Sequence, residues 1–223
     1  MTLADRYNRQ IALWGEESQQ QLETASVLIA GVGGLGATVA ELLTRAGIGK
    51  LILIDNGQVD GPDLNRQILY TEADIGRSKV QVASRQLRQI NSNIKIEIID
   101  EKIDSTFTCP AGVSIIADCL DNYTSRFDLE AGLLDGSFLV HGGIEGNQGQ
   151  ILTLRKGISQ PLVDIFAGAQ QPAGAIPVSG PGATIIAGYM ANELVSTILG
   201  KPQLLNRFLI VGLGDLHLDF LDV

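Results

Sequence analysis

Cysteine is almost missing from this chain, which carries only Cys109 and Cys119 among its 223 residues. Two cysteines cannot build a disulfide framework, and they do not form the paired Cys-x-x-Cys motifs of a structural zinc site. We therefore expect no zinc and a reducing, cytoplasmic setting. Both cysteines are expected to pack as small apolar side chains.

Long apolar runs and positive charge are also scarce. The most apolar segment, around residues 27–46, is interrupted by glycines and charged side chains, so no stretch is long enough to span a membrane. The N-terminus has charges and no apolar run, which excludes a secretory signal. The chain has 16 Lys and Arg against 25 Asp and Glu, a net charge of −9. This balance argues against a nucleic-acid partner but allows a small anionic ligand.

What the chain does contain is an alternation of short apolar runs and helical segments. Five segments predict strands, at residues 27–30, 51–55, 94–100, 113–121 and 137–144; the third of them alternates between apolar and polar residues. Two segments between them predict helices, at residues 37–47 and 78–91. Such alternation is typical of crossover connections. The sequence therefore predicts an α/β fold, a Rossmann-like, doubly wound and mainly parallel sheet in a single domain over 1–223.

The pattern changes after Gly149. Residues 150–157 predict an exposed strand, and 156–182 form a connection long enough to be functional or mobile. Residues 183–200 predict a helix, and the residues around Gly214 predict two antiparallel strands. The domain is therefore expected to have three parts: an N-terminal helix (1–25), a Rossmann-like part (26–148) and a C-terminal loop, helix and strands (149–223).

A glycine-rich turn follows the first predicted strand. Gly31, Gly33 and Gly36 satisfy the motif G-x-G-x-x-G, with Gly34 as an additional glycine. Residues without a Cβ let the backbone turn tightly and approach a phosphate that the following helix N-terminus stabilises. Asp55 ends the second strand, where its carboxylate can accept hydrogen bonds from ribose hydroxyls. This combination fits a nicotinamide or flavin enzyme as well as an ATP enzyme.

Charged residues elsewhere favour a triphosphate over a dinucleotide. Arg66, Lys79 and Asp121 follow the carboxyl ends of predicted strands, so in a doubly wound sheet they face one crevice beside the glycine loop. A reacting triphosphate needs cations on its phosphates and a carboxylate for magnesium, whereas hydride transfer has little use for this set. The sequence therefore predicts ATP and Mg²⁺ as ligands.

Six segments carry a family pattern in the family's order. They are RYNRQI at 6–11, GVGGLG at 31–36, the stretch from Asp55 that ends in PDLNRQ at 62–67, Lys79, DCLDN…R at 118–126, and the late helix at 182–200. Together they resemble the ThiF/MoeB/HesA family, bacterial relatives of ubiquitin-activating enzymes. The resemblance implies a homodimeric adenylyltransferase that uses ATP and Mg²⁺. It would activate the C-terminal glycine of a ubiquitin-like sulfur carrier (ThiS/MoaD-like) as an acyl-adenylate and release pyrophosphate, for thiamine- or molybdopterin-type sulfur transfer.

The resemblance also implies roles for the phosphate side of the site, within residues 26–148. Gly34 and its neighbours would approach the nucleotide phosphates, and Asp55 would hold the ribose. Arg66 and Lys79 would bind the phosphates and offset charge as the carrier carboxylate attacks the α-phosphorus. The carrier itself would bind to residues 149–223.

Three further roles follow from the resemblance, each beside a plainer reading. Asp121 would hold magnesium, although an Asp-Asn pair also fits a helix cap. Asn122 would line the site. Arg9 would reach the ATP of the other subunit as an arginine finger, although a surface position on the N-terminal helix also fits it. No side chain need act as a covalent nucleophile in this step.

The sequence departs from the family in two places. Many members read Ser-Asn-Leu before the basic residues, whereas this chain reads Pro62-Asp63-Leu64. Because an Asp near polyphosphate adds repulsion, we expect Asn65 rather than Asp63 to contact the nucleotide. The long loop also lacks the cysteine that forms a persulfide or thioester in some relatives, so the product is expected to leave as an acyl-adenylate.

Both histidines and one arginine can be interpreted as structural or as functional residues. Arg126 fits a structural role as well as a functional one. His141 fits a satisfied turn histidine or a contact with the carrier tail. His217 alternates with Asp215 and Asp219, a pattern typical of a solvated strand face, although such a strand could also dock a carrier.

Three other functions stay open. A member of the superfamily could activate a small molecule or a tRNA base, although the charge of −9 disfavours tRNA. A nicotinamide-binding oxidoreductase would be supported by the glycine loop and Asp55 alone. A non-catalytic, nucleotide-sensing member is opposed by Arg66, Lys79 and Asp121.

Overall fold

The parallel half of the sheet is built from five strands. The computed structural model describes residues 3–171 and 174–223, with side chains from Arg6 onward. The strands are β1 Ser26–Ala30, β2 Lys50–Ile54, β3 Lys95–Ile99, β4 Ile115–Asp118 and β5 Phe138–Glu145. They lie in the order β3-β2-β1-β4-β5, and all neighbouring pairs are parallel. The order reverses beside β1, which opens a crevice at the carboxyl ends of β1 and β4.

Three antiparallel strands extend the same sheet. They are β6 Gln148–Arg155, β7 Arg207–Gly212 and β8 His217–Asp222, which follow β5 in chain order. The predicted α/β class and its C-terminal antiparallel strands are therefore confirmed. The expected exposed strand at 150–157 is wrong in its burial, because Ile151 packs into one core and Leu152 into the other.

Helices cover both faces of the sheet. They are α1 Leu3–Trp14, α2 Glu16–Thr24, α3 Gly34–Ala46, α4 Lys79–Ile90, α5 Tyr123–Ala131, α6 Leu162–Ile165 and α7 Gly180–Ile198. Alternate residues of β1 enter two cores: Ile29 packs on the side of α2, α3, α4 and α7, and Leu28 on the side of α5 and α6. Burial on both faces explains why β1 and β2 are nearly continuous apolar runs, whereas β3, at the edge of the sheet, alternates.

Several predicted boundaries need correction. The expected helix 1–25 is divided at Gly15, whose φ of 87° leaves the helical region; residues 1 and 2 lie outside the described residues. The fourth strand ends at Asp118 rather than at residue 121, so the charged residues that follow lie on a loop. The connection 156–182 contains α6, although its residues 172 and 173 are not described. Within the described chain, every helix is too short or too polar to cross a membrane.

Candidate active site

A cavity of about 610 Å³ opens at the carboxyl ends of β1, β2 and β4. Most of the residues that the sequence proposed for the site line it together. They are Gly31, Gly33, Gly34, Asp55, Arg66, Lys79, Asp121 and Asn122. Three proposed residues, Gly36, Asn65 and Arg9, are not on its wall. The switch in strand order therefore gathers residues that are up to 91 positions apart, from Gly31 to Asn122.

The glycine loop is shaped by two glycines for different reasons. Gly31 has a φ of 84°, a left-handed conformation that favours glycine. Gly36 packs against the Gly31 carbonyl, where a Cβ would stand only 1.8 Å from the oxygen. Gly36 is therefore required for packing and not for ligand contact. Gly33 then caps α3 without any side-chain hydrogen bond, which leaves the first backbone N–H groups of the helix free to bind an anion.

Asp55 ties the end of β2 to the glycine loop. Its Oδ2 accepts a hydrogen bond from the Val32 N–H at 2.7 Å, and its Oδ1 accepts one from the Gly57 N–H at 2.7 Å. A carboxylate has about four acceptor positions, so two remain for a ligand hydroxyl. Asp55 therefore shapes the loop and can also accept hydrogen bonds from a ribose.

Arg66 and Lys79 lie beside one another on the cavity wall. Lys79 begins α4, and its stem packs near Gly57, where a Cβ would lie 3.3 Å from the Lys79 Cδ. The Arg66 stem lies beside Gly34, where a Cβ would stand 3.3 Å away. Two cations thus border the N-terminus of α3, the arrangement that an anionic phosphate chain requires.

Asp63 and Asn65 lie in the reverse of the positions that the sequence predicts: Asp63 lines the cavity and Asn65 does not. Asp63 is buried and lies on the cavity wall, with its Oδ2 at 3.1 Å from the Lys79 Nζ. Asn65 is exposed and does not line the cavity; its Oδ1 accepts a hydrogen bond from the Arg66 Nη1 at 2.8 Å. The geometry therefore favours Asp63 over Asn65 as a neighbour of a bound ligand. One feature of the sequence indicated that Asp63 would lie near the ligand: it stands within the family motif, where many members have Asn.

The sequence left two roles open for Asp121, a magnesium ligand and a helix cap, and the structure gives the cap to Asn122. The helix cap is Asn122, whose Oδ1 accepts a hydrogen bond from the Ser125 N–H at 2.8 Å. Asp121 is exposed on the cavity wall, and its Oδ1 accepts a hydrogen bond from the Asn122 Nδ2 at 3.3 Å. Its carboxylate is thus accessible to a cation.

A metal at this place would need ligands beyond the protein. Among the described residues, no three His, Cys, Asp or Glu side chains form a group that could hold a metal ion. Mg²⁺ commonly binds through one or two carboxylates together with substrate phosphates and water. The chemistry of a single exposed Asp in a cavity that Arg66 and Lys79 also line fits that mode of binding.

Comparison with known proteins identifies the family of the chain. The model of the ThiF family matches residues 7–221.

The chain belongs to the ThiF family.

Two curated relatives illustrate the membership. The chain is 32% identical over 220 residues to Protein HesA, heterocyst, of Trichormus variabilis, which covers 96% of this chain and 82% of the relative. It is 31% identical over 215 residues to the Sulfur carrier protein adenylyltransferase of Thermus thermophilus, covering 89% of this chain and 79% of the relative. The predicted family is confirmed, and a named relative is an adenylyltransferase, the enzyme class that the sequence predicts.

A solved structure shows the same fold. E. coli MccB superposes with a TM-score of 0.84 over 99% of this chain and 70% of that chain, at 21% identity. At that identity the likeness supports the fold alone. It confirms the α/β architecture predicted from the alternation of strands and helices.

Within this ThiF-family fold, the buried side chain of Arg126 holds together the backbone beside the site. Its Nη1 donates to the Asp118 Oδ2 at 2.9 Å and to the Gly142 carbonyl at 3.0 Å, and its Nη2 donates to the Leu120 carbonyl. These contacts fix the loop that carries Asp121. The structure therefore gives Arg126 a positioning role, although it also reaches the cavity wall.

His141 is a strand residue and not the turn residue that the sequence suggested. It lies in β5, is almost fully buried, and its Nδ1 is 2.7 Å from the Asp118 Oδ2. Burial and the Arg126 charge lower the pKa of His141, although Asp118 acts in the opposite direction. The Arg126 Nη1 also lies 2.5 Å from the His141 Nδ1, and the Gln150 Nε2 lies 3.2 Å from the His141 Nε2, so the ring is held between Asp118, Arg126 and Gln150.

A second cavity of about 310 Å³ adjoins the first on the side of β5 and β6. Asp121, Asn122 and Arg126 line both cavities. Gln171 from the long connection joins the rim: its Nε2 donates to the Asp121 carbonyl at 3.1 Å, and its Oε1 accepts from the Tyr123 N–H at 3.1 Å. Gln171 therefore lies where the two cavities meet.

Arg9 and the two cysteines lie away from this chemistry. Arg9 is exposed on α1 and does not line the cavity of its own chain. Cys119 is buried behind the glycine loop, and burial raises the pKa of its thiol far above the usual value. Burial also raises the pKa of the Cys109 thiol. Neither cysteine has the exposed, low-pKa environment of a reactive thiol.

Proposed function

We propose that this protein is an ATP-dependent adenylyltransferase that activates the C-terminal glycine of a ubiquitin-like sulfur carrier. The product is the carrier acyl-adenylate, and pyrophosphate is released. One observation carries the proposal: Arg66, Lys79 and Asp121 converge on the glycine loop around a single cavity. The Thermus thermophilus relative is named for the same activity.

The proposed reaction is a displacement at the α-phosphorus. One oxygen of the carrier carboxylate forms a bond to that phosphorus, and the bond to the bridging oxygen breaks, so the electron pair leaves with pyrophosphate. Arg66 and Lys79 stabilise the charge that develops on the leaving phosphates, and Asp55 holds the ribose. No side chain is consumed, because catalysis here rests on positioning and electrostatic stabilisation.

A metal ion has a defined place in this proposal. Asp121 would hold Mg²⁺ on the phosphates, and the ion would add positive charge where the leaving group forms. Arg126 keeps Asp121 in place through its hydrogen bond to the Leu120 carbonyl. Asn122 caps α5 and so fixes the same turn.

The second cavity supplies a path for the carrier tail. It meets the first cavity at Asp121 and Asn122, and Gln171 lies across the junction. An extended tail that ends in glycine could pass below this loop and bring its carboxylate to the α-phosphate. The tail would leave as the acyl-adenylate, because both cysteines are buried.

The proposal includes a homodimer with a shared site. Arg9 is exposed and does not line the cavity of its own chain. In this proposal it would bind the nucleotide of the other subunit. A symmetric dimer would exchange two such arginines, one for each site.

Carrier-dependent exchange of radiolabelled pyrophosphate into ATP tests the proposed function. The probe is a purified ThiS/MoaD-like protein that ends in Gly-Gly, and the control is the same protein without its last glycine. Exchange with the first and none with the second is expected. Absence of exchange together with binding of NADH, seen as fluorescence quenching, would favour an oxidoreductase instead.

A further inference from the structure

Asp63 holds a negative charge between Lys79 and Arg66, two of the cations that line the cavity. Its side chain is 12% exposed, and its Oδ2 lies 3.1 Å from the Lys79 Nζ. Its Oδ1 lies 3.7 Å from the Arg66 Nη2. The cations expected to receive phosphate oxygens are therefore already paired with an internal carboxylate.

The carboxylate of Asp63 is fixed by its own loop. Its Oδ1 accepts a hydrogen bond from the Gln67 Nε2 at 2.6 Å, and its Oδ2 accepts one from the Asp60 N–H at 3.1 Å. The second bond completes a capping box of the short helical turn Gly61–Asp63. Both carboxylate oxygens are therefore held by hydrogen bonds within the loop as well as by the two cations.

The charge balance of the cavity makes this carboxylate important. Among the described residues that line it, four cations face four carboxylates, one of which is Asp63. The wall therefore offers no net positive charge to a free triphosphate, which carries about four negative charges near neutral pH. A bound divalent cation halves that charge, so repulsion by one fixed carboxylate falls by about half.

We propose that Asp63 makes the site selective for cation-bound polyphosphate over free polyphosphate. It competes with the phosphate oxygens for Lys79 and Arg66, and this competition weakens binding most when the phosphates are uncompensated. The inference rests on the proposed function in that the ligand is a nucleoside triphosphate. Asp63 is thus a specificity residue whose charge, and not its shape, has the effect.

The substitution D63N removes the charge and keeps the shape. Its amide oxygen can still accept from the Asp60 N–H. The new N–H donor then replaces the oxygen that accepts from the Gln67 Nε2, so the Gln67 amide must turn over and accept through its Oε1, a buried atom without a hydrogen-bond partner among the described residues. The matched control is D60N, which removes one charge from the same loop at a residue that caps Gly61 and does not line the cavity.

Calorimetric titration of ATP and of inorganic triphosphate, each with EDTA and with Mg²⁺, tests the inference. D63N is expected to bind both metal-free ligands about tenfold more tightly than wild type, from the loss of one unit charge a few ångströms from the phosphates. With Mg²⁺ the gain should fall to about threefold. D60N should change neither affinity by more than about twofold.

The other outcomes distinguish failure of the Asp63 inference from failure of the proposed function. Equal or weaker metal-free binding by D63N overturns the inference, since a purely structural Asp63 would lower affinity with and without Mg²⁺. An equal gain in both conditions also overturns the selectivity. If ATP binds no more tightly than inorganic triphosphate and supports no pyrophosphate exchange, the proposed function fails, while the triphosphate titration still tests Asp63. Failure of triphosphate to bind either protein counts against the inference.

Discussion

Gly36 packs so closely on Gly31 that a Cβ at position 36 would stand 1.8 Å from the Gly31 carbonyl oxygen. Gly36→Ala must therefore displace the glycine loop, and we expect it to lower the free energy of unfolding by about 2 kcal/mol or more. Gly188→Ala is the matched control, because the space around Gly188 is open. It should raise stability by about 0.5–1 kcal/mol, since helical alanine loses less entropy than glycine. Urea denaturation measures both, and equal stabilities would contradict the packing argument.

Lys79 is predicted to stabilise the leaving phosphates. Lys79→Met keeps most of the apolar stem and should lower the rate of carrier-dependent pyrophosphate exchange by about a hundredfold or more. Lys50→Met is the control, because Lys50 pairs with Glu97 outside the cavity, at 2.9 Å. Exchange by the control should stay within about twofold of wild type. A similar loss in both variants would indicate a general effect of charge.

Asp121 is predicted to hold magnesium. Asp121→Ala should abolish pyrophosphate exchange, because the metal would lose its protein ligand, while the thermal unfolding midpoint stays close to that of wild type. Asp128→Ala on α5 is the control, since Asp128 does not line either cavity. Calorimetry adds a second readout: Mg²⁺ should strengthen ATP binding less in Asp121→Ala than in Asp128→Ala. Unchanged exchange in Asp121→Ala would refute the assignment.

Arg9 is predicted to act across a dimer. Neither Arg9→Ala nor Asp121→Ala should support exchange alone. Mixed subunits should regain about a quarter of the wild-type rate, because half of the randomly assorted dimers then have one complete site. Co-expression with two affinity tags isolates the mixed dimer. Without recovery in the isolated mixed dimer, Arg9 would have to act in its own site or outside the reaction.

The two histidines should give opposite slopes of stability against pH. Burial lowers the pKa of His141, so the unfolded chain takes up a proton that the folded protein does not, and stability falls below about pH 6.5. The hydrogen bond from His217 to Asp215 raises the pKa of His217, so this group adds stability at low pH that is lost as pH rises.

The free energy of unfolding, measured at pH values from about 5 to about 8 where histidine titrates, separates these effects. His141→Gln should flatten the fall toward acid, and His217→Gln should steepen it. Glu130, whose pKa burial raises, is common to both variants. The same slope in both variants would show that neither histidine sets the pH dependence.

Much of the nucleotide side of the molecule followed from local sequence. A strand, a glycine-rich turn and a helix are adjacent in the chain, so residues 27–47 predict where the phosphate loop lies, and Asp55 then holds it to the end of β2. Asp55 and Lys79 are also marked by local sequence, because Asp55 stands just after β2 and Lys79 begins α4, whereas Arg66 lies in the loop between them. The order of strands then brings these residues together, as crossover rules require.

Other features depend on residues that are remote in sequence. Nothing in DCLDN shows that Arg126 and His141 will share Asp118, because that triad needs β4, α5 and β5 to pack together. The burial of β6 likewise depends on β7 and α7, which lie far along the chain.

Asp63 shows the same division most clearly. The sequence revealed an acid where the family has an amide, and charge alone suggested that it would be pushed away from phosphate. The fold instead buries it between Lys79 and Arg66, because its loop hydrogen bonds fix it there. Sequence determined which charges are present, since composition and motif spacing are properties of the chain. Tertiary structure decided which of them meet, since a pair's energy depends on a distance that the fold alone sets.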